Sequence, residues 1–103
     1  MLIEINTAGF KLTDPIKTRV EEQIRSNLKG LEPRLTRIEV HLEDQNGPKQ
    51  GIDMRCLMEA RIAGQQPMAV EAKEADLYDA IGACATKLGR AVRHKIERLS
   101  ETH

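Results

Sequence analysis

The stretch MAVEAKEADLYDAIGACATKL, residues 68–88, changes its hydrophobic period partway along. Met68, Val70 and Ala72 alternate with Ala69, Glu71 and Lys73, the period of two of a half-buried strand. From there on the apolar positions are Leu77, Ile81, Cys84 and Leu88, and the stripe continues through Val92 and Leu99. That is the spacing of one face of a helix. Asp76 stands where a helix needs an N-cap. The chain therefore closes with a strand that runs into a long amphipathic helix.

Reading back toward the N-terminus, AGQQ (63–66) makes a turn. Before it, Ile52, Met54, Cys56, Met58, Ala60 and Ile62 alternate with Asp53, Arg55, Leu57, Glu59 and Arg61, a longer strand of the same kind. DQNGPKQG (44–51) has loop chemistry throughout. TRIEVHLE (36–43) turns Ile38, Val40 and Leu42 one way and Arg37, Glu39, His41 and Glu43 the other. LTDP (12–15) opens a helix, with Thr13 or Asp14 as cap and Pro15 in the first turn. Ile16, Val20, Ile24, Leu28 and Leu31 form its apolar stripe, and the helix is expected to stop near Gly30, with Pro33 just beyond. LIEIN (2–6) reads as a strand.

The order is β-α-β-β-β-α. Three later strands with one apolar face each form an antiparallel meander, and two amphipathic helices are available to cover it. The expected fold is α+β, a two-layer sandwich with both helices on one face of a four-stranded sheet, and residues 1–103 form one domain. The open face would carry Glu39, Glu43, Asp53, Glu59 and Glu71 and be the acidic side of the molecule.

Sixteen Lys and Arg balance sixteen Asp and Glu. The balance hides a pattern. Residues 1–37 hold seven basic and five acidic side chains, 38–80 four and nine, and 81–103 five and two. A bipolar surface of this kind can still meet a polyanion with one face. Phe10 and Tyr78 are the only aromatics, so the core is aliphatic. No run approaches the roughly 20 apolar residues of a membrane span, and no signal peptide is legible, so the expectation is a cytoplasmic protein with no membrane partner. Cys56 and Cys84 are then reduced thiols, buried on the strand and helix faces they occupy.

The last helix carries KLGRAVRHKIERL, residues 87–99, with five Lys or Arg. At about 100° per residue, Lys87, Arg90, His94 and Arg98 fall close together along one flank of the apolar stripe. Arg93 lies further toward solvent, and Lys95 falls on the apolar azimuth, which puts the helix end past the sheet. Arg25 and Lys29 lie one turn apart on the polar side of the first helix. Basic residues in a last turn also favour the helix dipole without any ligand, but that effect fades within the turn and this run extends over several. A ridge of cations one turn apart suits backbone phosphates, with counterion release supplying affinity.

DLYDAI followed by KLGRAVRHKIERL resembles the C-terminal helix of the ribosome hibernation-promoting factor and ribosome-associated inhibitor family, also called the sigma-factor modulation family. Its D-M-Y-x-A-I is matched by Asp76, Leu77, Tyr78, Ala80 and Ile81. Its D-K-L-x-R-Q-L is matched by Lys87, Leu88 and Arg90, and its K-H-K cluster by Arg93, His94 and Lys95. LTDPIKTRVEEQI (12–24) is similar to the family's I-T-D-A-L-R-E-Y-V-E-E-K. The chain departs from the pattern at INTAGF (5–10), where the usual basic residue is missing or displaced to Lys11. It departs again at LKGLEPRL (28–35), which lacks an aromatic pair, and in loop 44–51, which looks enlarged.

The resemblance implies a translation inhibitor of stress and stationary phase that binds small-subunit ribosomal RNA in the channel used by mRNA and tRNA. Its implied rRNA contacts are Lys87, Arg90, Arg93, His94, Lys95 and Arg98, with Arg25 and Lys29 from the first helix. It also implies a short family member, for which ribosome pairing would need a separate dimerising factor. No enzyme, cofactor, metal site or small-molecule substrate is expected, since no nucleophile motif, phosphate loop or ligand cluster occurs. Two other readings compete: a general double-stranded-RNA-binding module, and a protein-interaction domain that modulates transcription through the acidic face. The first would place its cations at the start of the last helix, where this chain has the acidic EADLYD (74–79).

Overall fold

Thr13 and Asp76 start the two helices by the same device. Each has extended backbone, and each turns a side-chain oxygen onto free N–H groups of the first turn. Thr13 Oγ1 accepts from the Ile16 N–H at 3.4 Å. Asp76 Oδ1 accepts from the N–H groups of Tyr78 at 2.8 Å and Asp79 at 3.2 Å. The computed structural model describes residues 1–45 and 53–101. Its elements are β1 (Leu2–Ala8), α1 (Asp14–Asn27), β2 (Leu35–Asp44), β3 (Met54–Ile62), β4 (Met68–Glu74) and α2 (Leu77–Ser100), with a 3-10 turn at Glu32–Arg34 before β2.

The strands form one sheet in the order β1-β2-β3-β4. α1 carries the chain back along the sheet, so β1 and β2 pair parallel, with Ile3 opposite Ile38 and Ile5 opposite Val40. The other two pairs are antiparallel, and Met58 sits between Val40 and Val70. This register puts the apolar member of every alternation on one face. Val20 and Ile24 of α1, Leu28 at its C-cap, and Ile81, Cys84, Leu88 and Val92 of α2 join Ile38, Val40, Leu42, Met58 and Ala60 in a single buried cluster. Both helices therefore cover the same face of the sheet. Each fully buried Leu, Ile, Val or Met contributes roughly 1.5–3 kcal/mol, which is how a core without aromatic rings holds this fold.

Several boundaries differ from the sequence expectation. α1 stops at Asn27 rather than near Gly30. The chain then turns through Leu28–Leu31, with the Leu31 N–H on the Leu28 carbonyl at 2.9 Å and Gly30 at φ +84°. β1 runs on to Ala8 because β2 offers partners as far as Glu43. Asp44 closes β2 instead of opening the loop. Ile52 and residues 46–51 of the expected loop lie outside the described residues.

The open sheet face also differs from expectation. Glu39, Glu43, Glu59 and Glu71 lie there with Glu4, but Arg37, Arg55, Arg61 and Lys73 are interleaved with them. Arg37 bridges Glu4 and Glu39. Arg55 bridges Glu43 at 3.5 Å and Glu71 at 2.7 Å. Rows of like charge alternate across the strands, Glu4, Glu39 and Glu59 beside Arg37 and Arg61, so the ion pairs form mainly between neighbouring rows and the face carries both signs rather than an acidic surface. Among the described residues, no helix is long and apolar enough to cross a membrane.

Candidate nucleic-acid interface

The two helices run parallel, side by side. The Arg19 guanidinium lies 4.8 Å from the centroid of the Tyr78 ring. One turn on, a Cβ added at Gly82 would stand 3.9 Å from Gln23 Oε1, and further along Gly89 lies against Asn27. Tyr78 thus packs toward α1. At 1.5 Å per residue α1 is about 21 Å long and α2 about 36 Å. α1 ends opposite Gly89, and α2 continues past it from Arg90 to Ser100, still packed on the core through Val92 and Ile96. Arg90, Arg93, His94, Lys95 and Arg98 all lie on this overhanging part, and Lys87 immediately precedes it.

Packing divides these cations between two flanks. Lys87 Nζ donates to the Glu71 carbonyl of β4 at 2.8 Å, which fixes its flank as the one beside the β4 edge. Helical rotation places Arg90, His94 and Arg98 on or near that flank, and all three are exposed. Lys95 is half-buried, as its azimuth requires, and borders Met68 at the start of β4. Arg93 takes the other flank. One guanidinium nitrogen would stand 3.1 Å from a Cβ at Gly89, so the side chain lies back over the junction where α1 stops.

The structure does not bring Arg25 and Lys29 into this group. α1 turns Gln23 and Asn27 toward α2, and Arg25 lies about 200° round the helix from each. Arg25 faces Glu32 instead, at 3.8 Å. Lys29 is exposed in the turn beyond α1. Both are accessible cations, but Arg25 sits on the far flank of the helical layer and Lys29 outside α1. Their four-residue spacing in the sequence gave no signal of this, because the direction of α2 is set by tertiary packing.

Two features of the overhang have no local signature. Met68, more than twenty positions away in sequence, meets Ala91, His94, Lys95, Arg98 and Leu99 across a groove. The Lys87 ammonium also covers a carbonyl of the sheet's free edge. Elsewhere Cys56 and Cys84 are buried free thiols, and Cys84 Sγ donates to the Cys56 carbonyl at 3.3 Å. His41 lies half-buried on the open sheet face beside Arg55.

Residues 3–100 match the family described as Sigma 54 modulation protein / S30EA ribosomal protein. No curated protein sequence gives a significant match. Among solved structures, a ribosomal subunit interface protein from Coxiella burnetii superposes with a TM-score of 0.75. It covers 93% of this chain and 99% of its own, at 13% identity. The N-terminal domain of Protein Y from Thermus thermophilus gives a TM-score of 0.74, covering 91% of this chain and 98% of its own, at 23% identity. At such identities the likeness to each structure is one of fold.

Proposed function

We propose, because the chain belongs to the Sigma 54 modulation protein / S30EA ribosomal protein family, that it is a ribosome-associated hibernation factor. It binds ribosomal RNA of the small subunit in the channel that mRNA and tRNA use, and it silences translation by occupying that channel. It works in the cytoplasm, on idle ribosomes of stressed or stationary cells.

The observation that carries this reading is the overhang of α2. A helix end that runs past its neighbour can enter a groove in RNA that a flat surface could not, and this one is cationic on both flanks. Lys87, Arg90, His94 and Arg98 meet phosphates from the β4 side, Arg93 from the α1 side, and Lys95 from between them. Arg25, on the far flank, and Lys29, in the turn beyond α1, make a second, weaker contact. The double-stranded-RNA module would need its cations at the start of α2, where Asp76 and Asp79 stand.

The test is sedimentation of the purified protein with ribosomes of its host through a sucrose gradient. Co-migration with the small subunit and whole ribosomes, lost on changing Arg90 and Arg98 to Glu, is expected. Wild-type protein that stays at the top of the gradient rejects the reading.

A further inference from the structure

Among the surface grooves formed by described residues, three mix both signs of charge. One pairs Arg37 and Arg61 with Glu39 and Glu59, a second Arg19 with Asp14 and Glu22, and a third Arg55 with Glu43. Another, between the overhang of α2 and the start of β4, is lined by Met68, Ala91, His94, Lys95, Arg98 and Leu99 and has no carboxylate. We infer that this groove holds one unpaired base of an RNA strand, stacked on Met68 and Leu99, while His94, Lys95 and Arg98 hold the phosphates on either side. The inference rests on the ribosome reading for the nature of its ligand, and deepens it: the same helix end that meets phosphates also takes a base.

The argument is one of shape and charge together. Positions 91, 94, 95, 98 and 99 recur at helical spacing, so small, cationic and apolar side chains share one face of α2. Ala91 leaves room where a larger residue would fill the groove. Met68 is partly buried against the core, which fixes it as a floor, and its thioether is polarisable and suits contact with an aromatic ring. The groove encloses about 430 Å³, within the range of small-ligand clefts. A base offers the flat apolar body that Met68 and Leu99 require, and its flanking phosphates offer the negative charge that the rim requires. Bases inside a duplex are already stacked and cannot enter. An acidic peptide supplies the charge without the flat apolar body.

Fluorescence anisotropy at fixed salt tests this with the full chain and two labelled probes. One is a single-stranded RNA octamer of mixed sequence, and the other is an octamer of abasic ribose phosphates with the same charge. The abasic probe should bind at least about fivefold more weakly, the lower end of what one base stack contributes. Ala91→Phe, which fills the groove, should remove most of that difference. Leu99→Ser, next to the last residue of α2, should do the same with less risk to folding. Equal binding of the two probes by the wild type overturns the inference, as does an undiminished preference in both variants. An acidic octapeptide that competes as well as the RNA also overturns it. Ribosome sedimentation is run in parallel. Base preference without co-migration rejects the ribosome reading and leaves the groove, whereas co-migration without base preference rejects the groove and leaves the ribosome reading.

Discussion

Gly89 of α2 lies so close to Asn27 of α1 that a Cβ at position 89 would stand 2.7 Å from the Asn27 carbonyl oxygen. That oxygen belongs to backbone and cannot swing aside. Gly82, also in α2, faces only Gln23 Oε1, at 3.9 Å from its added Cβ. Alanine raises helix propensity at either position by up to about 1 kcal/mol. Gly82→Ala should therefore leave the protein as stable or slightly stabler. Gly89→Ala should cost about 1–3 kcal/mol, because the helices must separate. Thermal melts of the two variants read the difference, and equal melting temperatures would remove the close crossing as a constraint.

Arg90 and Arg98 are exposed, so changing both to Glu should move stability by no more than about half a kcal/mol per site. Ribosome association should nevertheless be lost. Wild-type affinity should fall log-linearly with salt, and Arg90→Gln should make that slope shallower by about one. Arg25→Glu, on the far flank, should weaken binding less than Arg90→Glu does. Titrations at several salt concentrations decide the order, and a flat salt dependence would point to a protein partner.

The Arg55 guanidinium donates to Glu71 at 2.7 and 2.9 Å and holds its carboxyl below the usual carboxylate range. A depressed folded-state pKa contributes stability that is fully present above the unfolded value, near 4.5, and is lost as pH falls through the folded one. Acid unfolding followed below pH 4.5 should therefore show a steeper loss in wild type than in Glu71→Gln. Parallel acid limbs would show that the ion pair adds nothing to folding, an outcome open to any exposed pair.

Cys84 and burial together push the Cys56 thiol far above its ordinary value. Cys56 is fully buried under α2. Alkylating reagent at neutral pH should leave it unmodified in the folded protein and modify it after denaturation. Mass spectrometry of the treated protein gives the answer, and rapid modification under native conditions would mean that α2 opens locally.

The element order, the cap of α2, the first cap to within Thr13 or Asp14, the inward faces of β2, β3 and β4 and the burial of both cysteines were legible in the sequence. Each depends on neighbours within a few positions: an oxygen three residues from an N–H, an alternation, a helical repeat. The cationic flank of α2 was legible for the same reason. What lies across from a residue was not. The open face read as acidic although the same alternations placed Arg37, Arg55, Arg61 and Lys73 beside its glutamates; which of them pair, as Arg55 does with Glu71, was not legible, because the partners lie on different strands. Arg25 and Lys29 were legible as surface cations of the first helix, but nothing local says which way α1 turns toward its neighbour. The free end of α2 required the meeting of Asn27 with Gly89, and the groove required Met68 to arrive from β4. Periodicity records which face of an element is apolar, whereas packing alone decides which other element that face and its flanks will meet.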